Sequence, residues 1–461
     1  MFVTCPSYIK YSLAFAFSLI IFAIYGQTYT LPIMHINTKD KQPITSKSVY
    51  ISGTYFIVDI QNPEMNVGSE KMPKDLEIRG RGHSSWKGAK KPYKIKLAEK
   101  TPLLGMNTHK HWALLKFYEP TVAGMQLGKI LEMDWTPSTH PVEVILNGDS
   151  LGIYLLTETN RISKNRLNIY EQPDMNEDEN TIPYGWLVEV DNYMESNQII
   201  ISENKVRNLL ITYHSPEVLS AAQKTWLVDE FTNITAAIYE EDKTNSSWEQ
   251  LIDVDAMAKY FIVQEVLDNS DGFHGSFYLH KDLDDEARWM AGPLWDLSCC
   301  QRQKTDYTFR MKVSYNFTPH WIGELLKDED FCSAVRNAWE DFYPQEVESW
   351  MNYIDEHLLP YCEAFEKEKR LWNYTNSETL EKRISNLKSA LVSNIEWFNI
   401  HLPQGIMNSV NSFDLADKRI VKVEYINMAG MRSSQPWKGM NIKETTYDDH
   451  SIITSKVIIN H

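Results

Sequence analysis

One change of rhythm, near residue 215, constrains this chain more than any other feature. Before it, apolar and polar residues alternate in short runs broken by turn residues. YTLPIMHINT and SVYISGTYFIVDI fall within residues 28–60, followed by LEIRG (76–80), PYKIKL (92–97), HWALLKFY (111–118) and GWLVEVDNY (185–193). A period of two places successive side chains on opposite faces of a strand. PVEVIL and SLGIYLLTE flank Asn147-Gly148, the strongest short hairpin signal. Residues 121–133 alone in this half show helical spacing. After 215 the apolar spacing becomes helical. Ser215 reads as a cap, Pro216 as the first helical residue, and Leu227, Phe231, Ile234 and Ile238 as one face. Residues 255–267 are apolar nearly all round, which predicts a buried helix. A polar loop (268–276) and a hairpin (277–282 with 287–297) follow, then helices over about 330–341, 345–371 and 378–400. Strand-like sequence returns from about 418. The expected class is α+β: a β-rich half, a helical half and a β tail.

Composition narrows the partners. The 461 residues include 46 Lys+Arg and 62 Asp+Glu, a net charge of −16, which argues against a nucleic-acid binder. Fourteen Trp and 24 Tyr supply core and stacking surface. Lys10 precedes an apolar run (11–25) of the length of a signal-peptide core, with cleavage expected before Gln27. No later run is long enough for a membrane span, so the expectation is an exported protein at the periplasm, cell surface or outside. Four cysteines follow the leader: Cys299, Cys300, Cys332 and Cys362. They make no disulfide framework; a Cys332–Cys362 bridge and free thiols both stay open.

Phosphoryl transfer needs loops that approach phosphates closely, a strand lysine aimed at them, and two carboxylates, one near the acceptor hydroxyl and one for Mg²⁺. The chain carries such groups in order. Arg79-Gly80-Arg81-Gly82, with Ser84 and Ser85, forms a turn between two strands, and Lys94 and Lys96 share one strand face. After the buried helix come Asp268, Asp271 and His274, then a hairpin leading to Gly292-Pro293-Leu294-Trp295-Asp296. Asp271 is suited to accept the hydroxyl proton and Asp296 to hold metal. Asp268, abutting the helix end, is better placed to finish its loop.

The stretches LEIRGRGHSSWKGAKKPYKIKL, LLGMNTHKHWALL, VILNGDSLGIYLLTE, GWLVEVD, DNSDGFHGSFYLHKD and GPLWDLS resemble, in order, the CotH kinase family. The resemblance implies an atypical protein-kinase-like bilobal fold, with a β-rich N-lobe and a helical C-lobe. It also implies ATP, Mg²⁺ (or Mn²⁺) and transfer to Ser or Thr of secreted or coat proteins. Asp271 matches the aspartate of the N-x-D motif and Asp296 that of the W-D motif. The basic segment carrying Lys91, Lys94 and Lys96 matches the nucleotide-facing strand, beside Arg81 and Ser84. Glu158 and Glu189 match acidic strand positions. Ser276 stands where a kinase places its second metal ligand, His83 where many members have Asn, and Ser298 where many carry a second acid. Domains expected on this basis are a leader (1–26), a β-rich segment (27–75), the kinase-like domain (76–405) and a β tail (406–461). The tail resembles sorting or anchoring modules of exported bacterial proteins. Two other functions stay open: a catalytically inactive CotH-like surface module that binds glycan or a partner protein, and a secreted glycoside hydrolase using carboxylates such as Glu158 and Glu189.

Overall fold

The computed structural model describes residues 30–404, except 192, 194–196, 202–208, 243–246, 274, 285, 303–308, 310–320 and 375–376, together with strands within 420–459. The expected leader and His274 lie outside the described residues. Residues up to 403 form one unit and those from 404 another.

Seven strands close into a barrel. They are β1 (Ile33–Thr38), β2 (Ile51–Val58), β3 (Lys74–Gly80), β4 (Tyr93–Thr101), β5 (His109–Lys116), β6 (Thr139–Leu146) and β7 (Asp149–Glu158), in the order β1-β2-β3-β4-β5-β7-β6. The closing seam is parallel, with Ile33 beside Glu143 and Ile36 beside Leu146. Period-two alternation sends Ile36, Ile57, Ile78, Ile95, Trp112, Val144 and Tyr154 into the barrel. The β6–β7 hairpin turns at Asn147 (φ 56°) and Gly148 (φ 99°), the left-handed pair that a two-residue turn demands. The β-rich half is thus a closed barrel rather than simply the N-lobe of a kinase-like fold. The expected boundary at residue 75 falls within it, because β2 pairs with β3.

A second sheet runs β12-β11-β8-β10-β9, built from β8 (Trp186–Val190), β9 (Gln198–Ile201), β10 (Leu209–Ser215), β11 (Phe277–Lys281) and β12 (Met290–Ala291). Its chief helices are α1 (Glu119–Ile130), α2 (Ala221–Ile238), α3 (Val254–Val266), α4 (Glu329–Phe342), α5 (Val347–Leu358), α6 (Cys362–Leu371) and α7 (Leu380–Ile400). Two expectations need correction. Ser215 ends β10, and the cap of α2 is Ser220, whose hydroxyl accepts from Gln223 N while the Gln223 side chain accepts from Ser220 N. The helix expected over 345–371 is two, split at the turn Leu359–Tyr361 by Pro360, which cannot donate an interior helical hydrogen bond. The faces were read correctly: Leu227, Phe231, Ile234 and Ile238 are buried, and α3 is buried along most of its length. Among the described residues Cys299, Cys300, Cys332 and Cys362 form no disulfide.

The second unit is an antiparallel sheet ordered β14-β13-β15-β16, from β13 (Ile420–Asn427), β14 (Arg432–Ser433), β15 (Gly439–Tyr447) and β16 (Ile452–Ile459). Among the described residues no helix is long and apolar enough to cross a membrane.

Candidate active site

Strands β3 and β4 build a cationic wall. Ile78 and Ile95 point into the barrel, so Arg79 and Lys94, directly opposite each other, point out of it. Arg81 follows on the same face. Gly80 lies under the Trp86 ring, where a Cβ would come within 2.4 Å of a ring carbon, so no larger residue fits without displacement. The wall faces a cleft of about 940 Å³. Arg79, Arg81, Lys94, Lys96 and His111 line its barrel side, Asn160 and Arg161 the connecting segment, and Glu189, His214 and Tyr278 the sheet side. The Arg79 guanidinium stacks 5.0 Å from the Tyr50 ring and that of Arg81 5.3 Å from the Trp295 ring, which holds both over aromatic faces.

The opposing wall is acidic. Tyr278 on β11 sits opposite Glu189 on β8, so the hairpin after the 268–276 loop is bonded into the sheet that carries Glu189. Glu189 is buried, engages Tyr278, and lies 2.7 Å from His214 Nε2; His214 stacks on Tyr278 at 5.2 Å. Asp296 follows Trp295 with a left-handed backbone (φ 53°). Its carboxyl stays open to solvent but sits deep enough that desolvation raises its pKa. Arg81 opposes that rise, and neighbouring Asp271 and Glu189 add to it. Asp268 (φ 48°), Phe273 (φ 64°) and Ser276 (φ 51°) are also left-handed, so non-glycine strain is concentrated around this loop.

The loop is pinned from below. Arg302 reaches Asp268 at 3.1 Å and pairs with Glu265, and all three side chains are buried. Asn269 Oδ1 accepts from Ser298 Oγ at 2.6 Å and from Asp271 N at 3.3 Å. Asp271 is exposed. Arg302→Ala takes a buried cation away from two buried carboxylates, so it should destabilise the fold by about 3–5 kcal/mol. A lowered urea midpoint checks this; an unchanged one would show that the two acids find another partner.

The sequence-derived residues fall in different places. Arg81, Lys94 and Glu189 line the cleft; Asp296 does not, but is coupled to Arg81 and Glu189, and Asp271 is coupled to Asp296. Lys96 lines the rim and pairs with Glu77 at 3.5 Å. Lys91 donates to the Trp86 carbonyl at 2.6 Å, and Ser84 is exposed on the loop; neither lines the cleft. Ser276 opens β11, half-buried. Glu158 is buried beneath the barrel end. It accepts from Ser138 N at 2.9 Å, burial raises its pKa, and it does not line the cleft with Glu189. Missed in sequence were Arg161, His111, His214 and Tyr278. Tyr278 was recoverable from hairpin alternation; Arg161, in an irregular connection, carried no periodic signal. His83, also on the loop, stacks on Tyr193 at 3.9 Å.

A family model described as CotH kinase protein matches residues 77–395, from β3 through α7, and so takes in both walls of the cleft. The chain belongs to the CotH kinase family. No curated protein matches it. CotH membership suggests a kinase-related function with general dependence on ATP and metal. The three acids whose oxygens come within 4.8 Å of one another, among the described residues, lie elsewhere: Glu249, Asp328 and Asp330. Asp328 caps α4, accepting from Phe331 N at 3.1 Å.

Proposed function

We propose that this CotH chain is an exported kinase that transfers the terminal phosphoryl group of ATP to Ser or Thr of secreted or surface proteins. On this reading the barrel serves as the nucleotide-covering lobe, and the second sheet with its helices as the acceptor-side lobe, a kinase-like arrangement. One observation carries it. Arg79, Arg81, Lys94 and Arg161 converge on a cleft lined on its sheet side by Glu189, with Asp296 coupled to Arg81 and Glu189, and Asp271 to Asp296. Cations on one wall suit the phosphate chain. Acids on the other suit a divalent ion and an acceptor hydroxyl.

The donor set fits a hard cation. Asp296 has its proton affinity raised by burial and by two acidic neighbours, so a divalent ion relieves both. Asp296 would hold Mg²⁺, with Glu189 and Asp271 adjacent. When bound, Mg²⁺ supplies charge that offsets the phosphate oxygens. Ser298, at the position where many members carry a second acid, is tied instead to Asn269. Asp271 takes the hydroxyl proton as oxygen attacks phosphorus, and the arginines neutralise charge on the leaving diphosphate.

Calorimetry with ATP, with and without Mg²⁺, and radiolabelled transfer to Ser/Thr-rich acceptors test the reading. Mg²⁺-dependent binding and acid-stable label on Ser or Thr are expected. Binding with no label on any acceptor or on the chain itself would favour an inactive module. Retention on polysaccharide would add support to that alternative.

A further inference from the structure

We propose that in the empty cleft Lys94, crowded by Arg79, Arg81 and Arg161, gives up its proton above neutral pH and regains it when a polyphosphate enters, so that nucleotide uptake carries a proton with it. The inference rests on the phosphoryl-transfer reading of the same cleft and deepens it.

The geometry is a crowd of cations around Lys94, in a cleft whose lining carboxylates are Glu171, Asp174, Glu189, Asp191 and Glu217. Lys94 on β4 faces Arg79 across the strand pair, Arg81 lies beyond it, and Arg161 approaches from the connecting segment. Lys96 shares its strand, and His111 on β5 sits opposite Lys96. On the facing elements, Glu217 pairs with Arg161 at 2.9 Å, and Glu189 engages His214 and Tyr278 beside Arg81. Asp296 also faces Arg81. Among the described residues no carboxylate lies within salt-bridge distance of Lys94.

Arginine cannot shed a proton under these conditions, so the lysine is the group that yields. Burial, followed by the charges of Arg161, Arg79 and Arg81, brings the Lys94 ammonium down to about 7, with Glu217 opposing. A phosphate chain reverses both influences. It neutralises the arginines and places oxygens that accept from an ammonium. The bound cleft therefore favours the charged lysine, and free and bound states differ by a proton wherever the pH exceeds the free value. Below it Lys94 is already charged, and the coupling disappears.

Titrating the full chain calorimetrically with Mg²⁺ and ATP, in Tris and in HEPES, reads the proton directly. At pH 8 the enthalpies should differ by the buffers' ionisation enthalpies, with uptake of about one proton per nucleotide, and the Lys94 contribution should fade as the pH falls through 7. Affinity should fall toward about tenfold per pH unit above pH 8. Inorganic tripolyphosphate should show the same uptake, since the phosphate chain alone drives it. Lysine labelled with ¹³C at Cε assigns the proton. The resonance absent from Lys94→Arg should move to its charged position on ligand addition at pH 8. Binding with buffer-independent enthalpy at pH 8, or a Lys94 resonance that does not move, overturns this inference and leaves the kinase reading standing. No binding of either ligand overturns both.

Discussion

Replacing Asp271 by Asn is expected to leave nucleotide binding intact and to cut phosphoryl transfer by about 10²–10⁴-fold, the usual contribution of a positioned proton acceptor. Backbone hydrogen bonds of Asp271 itself help to set the path of the loop. The Asp271 backbone N donates to Asn269 Oδ1, and its carbonyl accepts from Gly275 N at 3.1 Å, so an isosteric amide inherits the same path. The side chain is exposed. Asp268 is the instructive contrast. It is fully buried against Arg302, and Asp268→Asn should register as lost stability rather than as a lost proton acceptor. Radiolabelled transfer beside ATP calorimetry separates the two. Transfer at the wild-type rate by Asp271→Asn would remove Asp271 from the proposed role.

The contrast between these aspartates shows what could be read from the sequence. Both stand in one polar loop, and the end of an apolar helix was enough to place Asp268 as structural and Asp271 as the projecting acid. Local signals behaved well elsewhere for the same reason. The turn at Asn147-Gly148 and the buried face of α2 are set by residues within a few positions of each other. Barrel closure is not of that kind. Ile33 meets Glu143 across 110 positions, and no periodicity within either strand announces its partner. Ser215-Pro216 misled because a serine before a proline has the composition of a helix start. The capping box five residues later, Ser220 with Gln223, held the actual start. At the cleft, alternation placed Lys94 and Lys96 on one face but could not rank them. What separates them is Glu77, which engages Lys96 at the rim and leaves Lys94 among the arginines. Glu158 and Glu189 look alike as strand acids. One ends a barrel strand beneath the cleft and the other lines it, a difference made by which sheet each strand joins.

Asp296 should show opposite effects on activity and on stability. Asp296→Asn is expected to lower Mg²⁺-dependent nucleotide affinity by more than the roughly 10–100-fold typical of residues that merely orient a metal ligand. The sign for stability runs the other way. A carboxyl whose pKa is raised on folding binds its proton more tightly in the native state, so its ionised form at neutral pH costs stability. Removing that charge also relieves repulsion with Asp271 and Glu189, though it takes a partner from Arg81. Asparagine keeps the left-handed backbone at φ 53° with little strain, whereas Asp296→Ala loses the short polar side chain whose local hydrogen bonding offsets the Cβ strain of that region, about 1–2 kcal/mol. The amide variant is therefore expected to unfold at a urea concentration no lower than wild type while losing metal-dependent binding, and the alanine variant to unfold earlier. In the wild type, metal-dependent binding should fail on acidification at a higher pH than an ordinary aspartate would set, because protonation of the raised carboxyl removes the ligand. Unchanged Mg²⁺-dependent ATP affinity in Asp296→Asn would move the metal to other oxygens. A clear loss of stability in the same variant would mean that the Arg81 contact outweighs the repulsion from Asp271 and Glu189.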